Sequence, residues 1–179
     1  IIKSSPADGG VGMAKYISDF VVNGQFPLAF VPIIVFIISC LISFAAGTSW
    51  GTMGIMVPIT MPVMIALAQS RGMDANAVLN ATALGIGAVL GGSVFGDHCS
   101  PISDTTILSS TGAACPHLEH VATQIPYAVF VAVCAGVGTL AASLVGFSWI
   151  VGLLVTGALF VGGTFLLPNW FGAQKYKLD

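Results

Sequence analysis

The stretch Phe95-Gly96-Asp97-His98-Cys99-Ser100-Pro101-Ile102-Ser103-Asp104-Thr105-Thr106-Ile107-Leu108-Ser109-Ser110 decides the fold. It sets two carboxylates, Asp97 and Asp104, among hydroxyls and around a proline, between segments that are almost wholly apolar. Hydrophobic residues make up 56% of the 179-residue chain and charged residues 7%, where a soluble domain carries roughly 25% charged residues. So little charge cannot cover a soluble surface. It excludes a disordered chain, which needs low hydrophobicity and high charge. Five Lys and Arg against seven Asp and Glu also exclude a basic nucleic-acid surface. The reading is an all-α integral membrane protein of several spans.

Three tracts lack Asp, Glu, Lys, Arg and His: 20–70, 75–96 and 121–174. A spanning helix takes about 20 apolar residues, so the tracts hold about two, one and two membrane segments. The first reads as residues 26–46, a polar Gly47-Thr48-Ser49-Trp50-Gly51-Thr52, and residues 53–68. The second piece rises only about 24 Å, and Pro58 and Pro62 each remove a helical hydrogen bond. Two readings follow: two ordinary spans, or a re-entrant helical hairpin (26–68) with its Gly/Ser/Thr tip inside the membrane. Non-helical backbone at that depth must be buried in protein or line an aqueous cavity.

Residues 69–74 form a surface connection, with Asp74 as an N-cap. An interrupted helix is expected over 77–110. Gly87-x-x-x-Gly91 and Gly92-x-x-x-Gly96 have the small-residue spacing that lets helices approach in lipid. Polar residues 111–120 are expected at the surface, followed by spans 122–145 and 148–167 and a tail, 169–179. Pro168 ends the last span, and Trp170 lies at interface depth. Residues 1–25 read as an interfacial segment, with Met13, Ile17, Phe20 and Val21 at helical spacing. Thus the transmembrane domain covers 26–168. A start at Ile1, with no initiating Met and no basic leader, is expected of a C-terminal piece of a longer transporter.

A carboxylate at helix centre costs about 2.5–3.5 kcal/mol on insertion scales, and such residues are functional by default. The alternative is an ordinary polar loop just outside the membrane. Asp97, Asp104, Ser100, Ser103 and Thr105, with Thr48 and Ser49 from the tip, offer oxygen ligands only. Such a set suits a hard cation. Interrupted helices place their termini and unwound carbonyls around ion sites in this way. A carboxylate so placed holds either a proton or a cation, which is all that exchange requires. His98 stands next to Asp97 as a proton relay, or as a histidine held by one hydrogen bond. Trp50 reads as packing. The four cysteines make no CxxC pair, and Cys115, His117 and His120 match no common zinc spacing. No cofactor or resident metal is expected beyond transported sodium and protons.

At the two polar motifs, Gly47–Thr52 and Phe95–Ser110, the sequence resembles the NhaC family of sodium/proton antiporters. The resemblance runs from about Phe26 to Val145. It implies one of two inverted repeats, a re-entrant hairpin followed by an interrupted helix, with two further transmembrane helices. It also implies a first repeat outside this chain that supplies the other half of the site. On the same footing, Asp97 and Asp104 are the ion- and proton-carrying carboxylates, and Thr48, Ser49, Ser100, Ser103 and Thr105 the neutral ligands. The implied function is sodium/proton antiport by alternating access in the plasma or inner membrane, in contact with lipid and in a homodimer. The alternative within the family is organic-acid exchange, such as malate for lactate.

A remote enzyme reading rests on Gly47-Thr48-Ser49-Trp50-Gly51, which fits G-x-S-x-G with His98 and Asp104 as triad partners. That elbow needs a strand-to-helix turn, and no strand pattern precedes Gly47. The chain is therefore read as a carrier and not an enzyme. A serine-reactive fluorophosphonate probe is expected to leave Ser49 unlabelled; a covalent adduct at Ser49 would replace the carrier with an intramembrane hydrolase.

Overall fold

Lipid leaves a chain no water to satisfy its backbone, so the apolar tracts must close their hydrogen bonds internally. The computed structural model describes residues 13–24 and 26–170, and these residues form helices and no strand. We number the α-helices in chain order: α1 (Met13–Asn23), α2 (Val31–Ala46, entered by a 3-10 turn at Leu28–Phe30), α3 (Ser49–Ser70), α4 (Ala75–Cys99), α5 (Asp104–Gly112), α6 (His117–Leu144) and α7 (Trp149–Trp170). Four segments are long and apolar enough to cross a membrane: Leu28–Ala46, Ser49–Ser70, Ala75–Cys99 and His117–Leu144. Their outer faces stay apolar, with Leu41, Leu79, Tyr127 and Val133 exposed.

α2 and α3 form a helical hairpin. Its tip is tighter than the six polar residues of the sequence suggest, because only Gly47 and Thr48 separate the two helices. Gly47 caps α2 in the left-handed region at φ 65° and donates its N–H to Ser43 O at 2.8 Å. A side chain is strained there. Thr48 is extended and caps α3, its hydroxyl accepting from the Gly51 N–H at 3.3 Å. Ser49 to Thr52 are therefore the first turn of α3. The helix is 22 residues long, about 33 Å, and not the short arm expected over 53–68. Pro58 and Pro62 are accommodated inside it.

α4 packs chiefly on α2 and α3. Glycine makes the α2 contact this close. A Cβ on Gly96 would come within 2.5 Å of Cys40 O and Phe44 N, and one on Gly92 would run into Phe36 O. α2 and α4 thus run side by side in the same direction, and the Gly92/Gly96 pair works as its spacing predicts. The Gly87/Gly91 pair does not: Gly91 touches Phe36, but a Cβ on Gly87 would meet nothing within 4 Å. Below this seam Leu28, Val31, Val63, Met64, Leu67, Ala81 and Val89 form the core, joined by Phe147 from the α6–α7 connection.

Several boundaries differ from the sequence reading. α6 starts at His117, so residues 117–120 are its first turn and not a surface loop. α7 runs through Pro168 to Trp170. α1 packs against α3, with Ile17 and Val22 on the core and Ser18 buried, while Phe20 is exposed. Residues 1–12 and the tail 171–179 lie outside the described residues. Replacing Gly96 with Ala is expected to destabilise the full chain by about 1–3 kcal/mol, the cost of overpacking. Gly87→Ala, in open space, should be neutral or stabilising by up to about 1 kcal/mol. Thermal unfolding in detergent compares the two, and equal melting shifts would refute the seam.

Candidate functional site

Pro101 creates the site by what it prevents. A residue before proline is pushed out of the helical region, and Ser100 is extended at φ −70°, ψ 130°. α4 ends at Cys99 and α5 begins at Asp104. The last carbonyls of a helix have no partner within it, so the break and the hairpin tip together free several. Three of them, Phe44 O, His98 O and Pro101 O, find a side chain. Ser100 Oγ donates to Phe44 O at 2.7 Å, clasping the end of α2. His98 O accepts from Thr106 Oγ1 at 3.2 Å and from Gln124 Nε2 at 2.8 Å. His117 Nε2 reaches Pro101 O at 2.7 Å and its Nδ1 lies 3.1 Å from Ser110 Oγ. A carbonyl only accepts, so Nε2 carries the proton. Gly47 rests against Ile102: a Cβ there would stand 3.1 Å from the Ile102 carbonyl. Tip, break and the start of α6 therefore meet at one end of the bundle.

Asp97 lies in that meeting, half-buried. Ser49 Oγ of α3 donates to its Oδ2 at 3.1 Å, and Ser103 Oγ, in the break, donates to its Oδ1 at 2.6 Å. Ser103 and Thr105 hydroxyls are 2.7 Å apart. Since Ser103 spends its proton on the carboxylate, Thr105 donates to Ser103. Both oxygens of Asp97 thus accept, an arrangement suited to the ionised carboxylate. A proton or a cation at Asp97 would require these hydroxyls to turn.

Of the residues singled out from sequence, the structure brings together Asp97, Ser49, Ser103 and Thr105. Ser100 is adjacent and fully buried, but its hydroxyl serves the Phe44 carbonyl. Thr48 is the cap of α3. Asp104 is exposed at the first turn of α5 and accepts from the Thr105 N–H at 2.8 Å, apart from the Asp97 network. The His98 side chain is exposed and lines a groove of about 530 Å³ between α4 and α6 with Phe95, Tyr127 and Ala128. It faces away from the Ser49 side, so the residues of the hydrolase motif are not assembled: Ser49 is bonded to Asp97. Trp50 is 82% exposed and so is not packed among the described residues. His117 and Gln124, which hold the break, were not singled out as its supports. Their polarity near the start of an apolar span was the available signal.

The sequence profile of the Na+/H+ antiporter family matches residues 9–144. An uncharacterized protein of Haemophilus influenzae is 45% identical over 141 residues, 79% of this chain and 24% of that protein. An uncharacterized Na(+)/H(+) antiporter of the same organism is 42% identical over 85 residues, 48% of this chain and 16% of the relative. The malate-2H(+)/Na(+)-lactate antiporter of Bacillus subtilis is 39% identical over 85 residues, with the same coverage of 48% and 16%. The chain thus spans about a quarter of the first relative and less of the other two. No solved structure gives a significant match. With its four span-length apolar helices the chain is a multi-pass protein of the cell membrane, and it belongs to the Na+/H+ antiporter family.

Proposed function

We propose that this chain is part of a sodium/proton antiporter and carries one side of its ion site, with Asp97 as the group that holds sodium and proton in turn. The observation that carries this reading is that Asp97, the single half-buried carboxylate among the described residues, has its two oxygens bonded to hydroxyls from two different segments, the hairpin tip and the helix break. When Asp97 is ionised, Ser49 and Ser103 donate to it. When sodium enters, their hydroxyls rotate so that oxygen lone pairs face the ion, and Thr105 takes up the change behind Ser103. When a proton enters instead, the carboxyl itself becomes a donor and one serine must accept. Proton and sodium compete for the one negative charge of the Asp97 carboxylate, so they exclude each other. That exclusion couples the two fluxes.

In this reading the hairpin is re-entrant, and its tip and the break face a matching pair from a second repeat. Asp104, exposed on the first turn of α5, points the second carboxylate outward, where that repeat would complete the ion's shell. Thr48 and Ser100 shape the tip and break. His98 takes no part in the carboxylate's bonding, because its ring faces the α4–α6 groove.

The Bacillus relative favours a second reading, in which an organic acid travels with the ions. Arg71, the chain's sole arginine, is a poor anion clamp for it. Its Nη2 donates to Phe26 O at 3.1 Å, beside the α3–α4 connection. An anion would have to be held by helix N-termini or by the second repeat.

In proteoliposomes the full-length carrier should move protons against a sodium gradient. Asp97→Asn should lower that exchange by about 100-fold or more, the scale of losing an essential proton-transfer group, and Asp104→Asn should lower it too. Exchange that survives both substitutions would remove the site from the mechanism. Flux that appears only when malate and lactate are supplied on opposite sides would establish the second reading.

A further inference from the structure

Buried hydroxyls in this chain find partners in two ways: Thr52, Thr82, Ser110 and Ser143 bond back to a carbonyl one turn earlier, and Ser43, Ser100, Ser103 and Thr106 reach another segment. Ser39, Ser93 and Thr60 do neither. All three are buried, at 0%, 0% and 2% exposure, and their hydroxyls have no partner among the described residues. A buried hydroxyl left so costs about 1–3 kcal/mol, and three in one three-helix seam are not scattered packing accidents.

Their placement is ordered. The Ser49–Asp97 hydrogen bond and the contact of Thr60 with Gly85 fix α3 and α4 as antiparallel. Ser93 therefore lies one turn, about 6 Å, below Asp97 on the same face of α4. Ser39 enters at this level from α2: a Cβ on Gly92 would be 2.9 Å from Ser39 Cβ, and Ser43 Oγ holds Ser93 O at 2.6 Å. Next come Met56 and Val89, both buried, and beyond them Thr60. Neither α2 nor α3 carries a charged side chain, so the polar members of this line are neutral hydroxyls below one carboxylate.

We propose that Ser39 and Ser93 hold a buried water one turn below Asp97, and that this water is the inner station of the proton path to that carboxylate. The proposal rests on Asp97 being the exchanged group. A water suits the place better than a cation. It can both donate to and accept from the two hydroxyls, and buried waters typically have about three such bonds. A sodium ion would find few free lone pairs, because the neighbouring carbonyls are engaged within helices. As sodium binds, the O–H bond of the Asp97 carboxyl breaks and an O–H bond forms at the water. That water hands one of its own protons to a second water toward Thr60 and is regenerated. Met56 and Val89 lie between this pair of waters and Thr60, so their side chains must move aside for the proton to go farther.

Two fluxes in the reconstituted full-length carrier test this. Sodium/proton exchange needs the path, whereas exchange of radioactive sodium for unlabelled sodium does not. Ser93→Ala and the double variant with Ser39→Ala should slow sodium/proton exchange by about tenfold or more and leave sodium/sodium exchange within about twofold. The second flux also shows that the variants fold. Equal loss of both fluxes, no loss of either, or selective loss of sodium/sodium exchange would each overturn the proposal. So would a selective proton defect in His98→Gln with none in the serine variants. A wild-type carrier that moves no sodium in either assay sinks the reading of Asp97 itself, and this inference with it.

Discussion

The bond from Ser100 Oγ to the Phe44 carbonyl joins the two places where helical hydrogen bonding fails. In lipid an unsatisfied carbonyl is not forgiven, so a hairpin tip and a broken helix are each costly alone. Set against each other they supply one another's partners. The same constraint explains why His117 and Gln124 reach over from α6 to Pro101 O and His98 O. With the Phe44, His98 and Pro101 carbonyls occupied, the irregular backbone presents Ser49 and Ser103 to one carboxylate. The geometry around Asp97 is a by-product of satisfying the backbone.

Close approach is the second requirement, and glycine meets it. Gly92 and Gly96 bring α2 against α4 so tightly that a methyl group would meet backbone. Only at that distance can Ser43 span to Ser93 O and Ser100 reach Phe44 O. The apolar core around Met64, Leu67 and Val89 lies farther along the same seam and has no polar duty. It fixes the register from which the site inherits its distances.

Where a residue's effect is local, its role was legible. Pro101 stops α4 because of the dihedral it imposes on Ser100, and Gly47 turns the tip because it adopts positive φ. Asp97 is conspicuous because charge is scarce. Roles set by which face a helix shows were not legible, because apolar positions all round a membrane helix erase the periodicity that would reveal them. The Gly87/Gly91 spacing is as good as the Gly92/Gly96 spacing, yet Gly87 faces open space. Asp104 is as rare a charge as Asp97, yet it is exposed while Asp97 is bonded inside. The start of α3 at Ser49 follows from a cap by Thr48 that polar composition alone disguises as loop.

The two carboxylates therefore differ in kind. Asp97 belongs to this half: its partners come from α3 and from the break, and its hydroxyl network closes within the chain. Asp104, the first residue of α5, accepts from the Thr105 N–H and is exposed. Thr105 belongs to both, with its backbone on Asp104 and its hydroxyl on Ser103, which in turn holds Asp97. A charge brought to Asp104 by a second repeat would reach Asp97 through two hydroxyls on one short turn. The break thus links the half-buried carboxylate to the exposed one through two hydroxyls.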